Sequence, residues 1–362
     1  MRLKECFRLK NVYQKHHLKR GPRLVVIGGG TGLAVLLRGL KEYTSNLTAV
    51  VSVADDGGSS GRLRGQFGIL PPGDLRNCLV ALADTEPVME KLFNYRFTKG
   101  ELAGHNLGNL LIAAMADLSG SFEYAIREIG KVLAIRGRVI PSTLDHIVLA
   151  AELQDGSIIM GESSINRTPK PIKRVFAVPD NHVPVPEAVE AIMEADAVIL
   201  GPGSLYTSVI PNLLVPGIAE AVRDAPGKKI YVCNIMTQPN ETLQHKASDH
   251  LEAIFRHSFP NLVQYMIVNN KEIPLPLRER YAREGAGVVE IDMDVLGKLP
   301  VKVISDALSE EGDYIRHNPH KLARLIVRHI LGLKQPAVFD DNVDRRRPWG
   351  PLDKITENFR GE

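Results

Sequence analysis

The chain is poor in the features that mark several functional classes. Its 362 residues hold three cysteines, Cys6, Cys78 and Cys233. They are widely spaced, with no CxxC pair and no histidine at zinc-finger spacing. That excludes a disulfide scaffold and a structural zinc site, and it points to a reducing compartment. No apolar run approaches the roughly 20 residues that cross a bilayer, and the first residues lack the apolar centre of a secretory signal. The expectation is a cytoplasmic protein that does not span a membrane. No glycine loop is followed by Gly-Lys-Ser/Thr, so no Walker A loop is present. Neither an internal repeat, a low-complexity tract, an activated nucleophile nor a classical acid–base pair stands out. The formal charge is only +3, and residues 1–22 hold seven Lys/Arg against one acid, leaving the remainder slightly acidic. That balance argues against nucleic acid as a partner.

What the chain does have is an α/β rhythm and enough apolar residues, 44%, to bury a large core. The run Leu24–Ile27 enters Gly28-Gly29-Gly30-Thr31-Gly32 and then a periodic helix from Leu33 to Leu40, which reads as strand, glycine turn and helix. A second strand is expected over 47–53, a mostly helical stretch over 71–135, and a hairpin of 147–152 with 157–161 about Gln154-Asp155-Gly156. Further strands are expected near 173–178, 197–200, 229–233 and 264–268, with a helix over 241–257. The pattern predicts a Rossmann-like three-layer α/β/α fold, with a mainly parallel sheet and a β-hairpin insertion. It divides the chain into a basic extension (1–22), one α/β domain (23–332) and a polar tail (333–362).

Five loops carry candidate chemistry. Gly29, Gly30, Thr31 and Gly32 join a buried strand to a helix, where bare backbone amides and the helix dipole favour a phosphate. Leu33 stands where the last glycine of a dinucleotide fingerprint belongs, so the match to that motif is incomplete. After the second strand, Asp55 and Asp56 are placed to accept a ribose hydroxyl or hold a metal. Gly58, Ser59 and Ser60 form a candidate anion nest, with Arg62 supplying charge. Asp74 and Asn77 follow in Pro-Pro-Gly-Asp-Leu-Arg-Asn, where Asp74 is either a helix cap or a carboxylate beside the phosphates. His105, Asn106 and Asn109 punctuate Gly-His-Asn-Leu-Gly-Asn, as an acid or base and as amide ligands, or as a helix cap. Gly203, Ser204, Thr207 and Ser208 repeat the strand-to-glycine-to-helix arrangement late in the chain, and Asn234 follows the next strand. Two such turns on one sheet imply a crevice at a topological switch point.

The strings GGGTGLAVLLRGLK, VADDGGSSGRLR, PPGDLRN, GHNLGNL, GPGSLYTS and CNIMTQPNET, in this order, resemble the CofD-like family, and most of all its YvcK-type branch, whose members are called gluconeogenesis factors. The resemblance implies a nucleotide-diphosphate ligand such as a UDP-sugar of the UDP-N-acetylglucosamine type. It implies roles in carbon metabolism, cell-wall synthesis and cell shape, cell-wall synthesis proteins as partners, and a homodimer. It also implies nucleotide-sugar contacts by Tyr281 and Arg316, through ring stacking and a forked guanidinium. The enzyme branch of the family implies an alternative, Mg²⁺-dependent transfer of a phospholactyl group from a GDP-linked donor to a deazaflavin. In that case Asp55 and Asp74 are the candidate metal ligands; otherwise no cofactor is obligatory.

Overall fold

A computed structural model of the chain describes residues 18–84, 86–312 and 314–333. Seven strands form one sheet: β1 (Leu24–Gly28), β2 (Leu47–Val51), β3 (Arg138–Pro141), β7 (Ala197–Leu200), β8 (Lys228–Val232), β9 (Tyr265–Asn269) and β10 (Lys302–Asp306). Their order is β10-β9-β8-β7-β1-β2-β3, and every pairing is parallel. β1, β2 and β7 are buried at every position, as expected for strands covered by helices on both faces, which read as continuous apolar runs. A separate antiparallel sheet holds β4 (Val148–Leu153) between β5 (Ile158–Met160) and β6 (Ile172–Val178). This is the expected hairpin with its third strand. A short pair, β11 (Ser309–Glu310) and β12 (Arg316–His317), completes the strands.

The order places the switch point between β1 and β7, because the chain moves outward through β2 and β3 on one side and through β8 to β10 on the other. Four helices start at the carboxyl edge on the β1–β2 side: α1 (Gly30–Leu40), α2 (Gly58–Phe67), α3 (Gly73–Leu82) and α4 (Leu107–Ser119). α1 packs against α3 on one flank and against α5 (Pro319–Arg324) on the other.

Several boundaries differ from the sequence reading. α1 begins at Gly30 rather than Leu33, because its first turn is the glycine loop itself. β2 ends at Val51 rather than 53. The expected helix over 241–257 is confined to Ala247–Arg256, since Glu241 turns inward to hold backbone amides. Gly58–Ser60 open a helix rather than a loop nest. The extension boundary at 22 also shifts: Leu18 is buried, Ser45 N–H donates to its carbonyl, and Asn46 Nδ2 donates to Lys19 and Gly21 carbonyls. The rest of the extension and the tail beyond Leu333 lie outside the described residues.

Candidate functional site

The two glycine turns meet at the switch point. A Cβ on Gly32 would stand 2.7 Å from the Pro202 carbonyl oxygen, and one on Gly203 would stand 3.1 Å from the Gly29 carbonyl oxygen. Only glycine permits this approach. Gly30 has φ +68°, a left-handed conformation that other residues adopt at a cost. Thr31 and Gly32 lie in the first turn of α1, so their amides have no intrahelical acceptor. The cleft beside these turns has a volume of about 420 Å³, within the range of small-ligand sites. Gly30, Thr31, Gly32, Gly203, Ser204, Asn234, Tyr281 and Arg316 line it together. These are candidates from five separate stretches of sequence, spread from one end of the resemblance to the other. Two other clefts, of about 380 and 470 Å³, lie against β3 and against Phe67–Leu70. Neither holds a strand-to-helix glycine turn, so volume does not choose between the three but backbone chemistry does.

The wall opposite the glycine turns comes from the segment after β8. Thr237 N–H donates to the Gly287 carbonyl at 2.7 Å, and Gly287 N–H donates back to Thr237 Oγ1 at 2.9 Å. Gln238 Nε2 donates to Ser204 Oγ at 2.6 Å, tying this wall to the second glycine turn. Tyr281, on the helix Leu275–Arg283, accepts the Ile315 N–H on its hydroxyl at 2.9 Å. Its ring is edge-on to Tyr314 and packs on Ile235, Met236, Ile273 and Ile315. The hydroxyl is therefore engaged as an acceptor, and its hydrogen and the remaining ring surface are what it offers to a ligand. Arg316 is exposed at the cleft rim on β12 and forms no ion pair among the described residues.

Not every amide expected to meet a phosphate is free. Gly30 N–H donates to Asp74 Oδ2 at 2.6 Å, so Asp74 does not cap its own helix but reaches across to the first glycine turn. Tyr206 and Thr207 N–H donate to Glu241 Oε1 at 2.7 and 3.0 Å. Thr207 is thus held from behind by a buried carboxylate, while Ser208 Oγ lies 3.6 Å from where a Gly30 Cβ would be. The sequence reading missed Glu241. Its signal was a lone acid in a polar Gln-Pro-Asn-Glu-Thr stretch, which by itself looks solvated.

On the β2 side of Asp74, carboxylates gather. Asp55 Oδ1 accepts the Gly57 N–H at 2.9 Å, and Asp56 Oδ1 accepts the Ser163 N–H at 2.8 Å. Burial, with Asp55's charge adding, pushes Asp74 up to about 6 against the Gly30 hydrogen bond. Burial also pushes Glu162, in the four-residue helical turn Glu162–Ile165 beside β5, up to about 8, with Asp55, Asp56 and Asp74 contributing. Glu162 is a second residue that the sequence reading missed, because the side sheet brings it across 106 positions from Asp56 (162 − 56). Among the described residues, no group of three or more His, Cys, Asp or Glu is arranged to hold an ion.

The remaining candidates tie helix starts together. Ser60 Oγ accepts the Gly73 N–H at 3.1 Å. Ser59 Oγ accepts the Asn106 N–H at 3.3 Å and lies 3.2 Å from His105 Nδ1. Asn106 Oδ1 accepts the Asn109 N–H at 3.1 Å, so Asn106 caps α4 through its side-chain oxygen. Asn77 Oδ1 accepts from Arg76 Nη2 at 2.7 Å, and Arg62 Nη2 donates to the Ala103 carbonyl at 3.1 Å. Together Asp55, Asp56, Gly58, Ser59, Ser60, Arg62, Asn77, His105, Asn106 and Asn109 belong to the α2–α4 side, outside the lining of the cleft.

The family model described as 2-phospho-L-lactate transferase CofD matches residues 24–309. A curated relative named gluconeogenesis factor, from Bacillus subtilis (strain 168), is 49% identical over 308 residues, covering 84% of this chain and 97% of its own. Another of that name, from Halalkalibacterium halodurans, is 50% identical over 306 residues, covering 84% and 95%. A crystal structure of a Bacillus halodurans protein described as a member of the UPF0052 family aligns with TM-score 0.83 at 49% identity, covering 85% of this chain and 99% of that one.

Proposed function

Because the chain belongs to the CofD family, we propose that it binds a nucleotide-diphosphate sugar of the UDP-N-acetylglucosamine type and acts as a cytoplasmic regulatory gluconeogenesis factor linked to cell-wall synthesis and cell shape. The observation that carries this reading is the cleft at the switch point, where both glycine turns, Asn234, Tyr281 and Arg316 face one ligand-sized space. In this reading the first-turn amides of Thr31 and Gly32 take the diphosphate, with the α1 dipole behind them. Arg316 forks onto the same phosphates or the sugar, the free face of the Tyr281 ring lies against a sugar or base, and Asn234 offers amide hydrogen bonds. The ordered loops then present a surface to a protein of cell-wall synthesis, with the chain acting as a homodimer.

The relatives' name, gluconeogenesis factor, favours regulation over catalysis. Thermal unfolding with UDP-N-acetylglucosamine and with GDP, each with and without Mg²⁺, tests it. The UDP-sugar at 100 times its dissociation constant is expected to add about 2.7 kcal/mol of stability. An unchanged midpoint with every UDP-sugar tried contradicts the reading. Arg316→Gln is expected to weaken UDP-sugar binding about tenfold, the scale of a charge-assisted hydrogen bond, while leaving the ligand-free midpoint unchanged because Arg316 is exposed. Calorimetric titration of the two proteins checks this.

A second reading rests on Asp55 and Asp74, which are close enough for the Asp55 charge to help raise the Asp74 carboxyl. Mg²⁺ is commonly held by one or two carboxylates together with substrate phosphates, and these two carboxylates fit that role. Bound there, Mg²⁺ would neutralise charge developing on the departing nucleoside monophosphate. This chain's part would be to orient the donor through the glycine turns. Formation of phospholactyl-deazaflavin, followed by mass spectrometry over hours, would favour transfer; its absence alongside tight UDP-sugar binding favours the regulatory reading.

A further inference from the structure

Beyond the nucleotide cleft, three guanidinium groups converge on the turn that precedes α4. Arg96 Nη1 donates to the Gly104 carbonyl at 2.7 Å and Arg62 Nη2 to the Ala103 carbonyl at 3.1 Å. Arg76 Nη1 donates to the Phe93 carbonyl at 3.2 Å and to Asn94 Oδ1 at 3.3 Å. A Cβ on Gly108, in the first turn of α4, would stand 2.8 Å from Arg76 Cδ, so this side chain lies against the helix start. Backbone pairing of Arg96 with Asn106 brings the third arginine to the same place. Among the described residues none of the three forms an ion pair.

The local chemistry is that of a site short of negative charge. Arg76 is only 8% exposed, and its Nε has no hydrogen-bond partner. Its hydrogen bonds go to neutral oxygens, and the charge of Asp74 acts on it without a direct ion pair; a buried guanidinium so placed is costly unless a counter-ion arrives. Asn109, in the first turn of α4, is buried as well, and its Oδ1 lacks a partner. Burial first, then the charges of Arg62 and Arg96, lower the proton affinity of His105. Ser59 Oγ accepts the Asn106 N–H and faces His105 Nδ1; in the tautomer in which the hydroxyl donates to Nδ1, the ring hydrogen is on Nε2 as a donor. The helices α2 and α4, of ten and 13 residues, both begin here and are joined by Ser59. Their dipoles add to the positive potential.

We propose that this corner is a second anion subsite, distinct from the nucleotide cleft, which takes a phosphomonoester group through Arg62, Arg96 and the His105 Nε2–H, with Arg76 beneath. Planar guanidinium forks suit the oxygens of such a group. Asp55 lies beside Ser60, since a Cβ on Gly73 would meet both Ser60 Oγ and Asp55 Oδ2, and the charge of Asp55 acts on Asp74 and on Glu162. A ligand that places its phosphate at the arginines and hydroxyls toward the carboxylates matches both halves.

The test is a ³¹P NMR titration of the full chain with inorganic phosphate and with glycerol phosphate, in the presence of saturating UDP. Wild type, Arg62→Gln, Arg96→Gln and Arg316→Gln are compared; all three substituted residues are exposed, so the fold is preserved. Saturable phosphate binding is expected to persist beside UDP. It should weaken about tenfold or more in Arg62→Gln and in Arg96→Gln, and stay unchanged in Arg316→Gln. Tighter binding of glycerol phosphate identifies the group as part of a larger ligand, and equal binding identifies free phosphate. Displacement of phosphate by UDP, absence of saturable binding, or equal affinity in wild type and both arginine variants overturns the proposal. UDP binding is read from its own resonances, so failure of the nucleotide reading is separable from failure of this one.

Discussion

Gly32→Val is expected to eliminate UDP-sugar binding and to destabilise the ligand-free protein. The new Cβ would sit 2.7 Å from the Pro202 carbonyl oxygen and 2.9 Å from its carbon, closer than a side-chain carbon can approach backbone. One glycine turn must therefore move off the other. Forcing extra carbon atoms into a packed contact costs about 1–3 kcal/mol, which denaturant unfolding will read. The larger effect is on the ligand, because both turns line the same cleft and their separation misplaces the amide row that the diphosphate needs. A loss of binding of about a hundredfold or more is expected, the scale of misplacing recognition groups by about 1 Å. Retention of wild-type affinity by a folded Gly32→Val protein would remove the first glycine turn from the site. Gly65→Ala is the matched control, since a Cβ there meets nothing within 4 Å.

Glu162→Gln is expected to gain stability relative to the native chain as the pH rises. Burial raises the Glu162 carboxyl from 4.5 to about 8, with the charges of Asp55, Asp56 and Asp74 adding to it. The folded state then holds a proton that the unfolded chain has released. Stability therefore falls as pH rises from the ordinary carboxyl value through 8. A shift of that size corresponds to about 4 kcal/mol between pH 5 and pH 9. The amide variant does not ionise and is spared this loss. Comparing the two proteins cancels the opposing contribution of buried histidines such as His250, lowered to about 3, and His317, lowered to about 4, both by burial first. The measurement is the difference in urea-unfolding free energy at each pH. A pH-independent difference would show that Glu162 is solvated rather than part of the carboxylate group facing Asp55.

Strands and glycine turns were legible in the sequence because the parallel strands are buried on both faces. Leu24–Ile27 and Ala197–Leu200 therefore appear as unbroken apolar runs that end at glycine. Their neighbour relations were not legible, since the order that puts β7 beside β1 joins stretches some 170 residues apart. Strand β3 was missed because Arg138–Pro141 is short, begins with a charged residue and ends in proline, all of which weaken a strand signal. At the site, the lining role of Gly30–Gly32, Gly203, Ser204, Tyr281 and Arg316 followed from local chemistry and the family motifs. The engagement of Gly30 by Asp74, and of Tyr206 and Thr207 by Glu241, did not. Those hydrogen bonds span 44, 35 and 34 positions, and each acid carries an equally good local explanation as a cap or a solvated loop residue.

These two carboxylates narrow the account of phosphate binding. The Gly30 amide and the Tyr206 and Thr207 amides already have partners, so the diphosphate is left to Thr31, Gly32 and the side chains around them. A crystal structure of the full chain with UDP-N-acetylglucosamine tests this most directly. The account predicts diphosphate oxygens within hydrogen-bond distance of the Thr31 and Gly32 amides, between the two glycine turns, with Arg316 closing over them. A sugar nucleotide seated instead against Glu123–Arg138, or in the hollow beside Phe67, with the glycine turns left uncontacted, would contradict it.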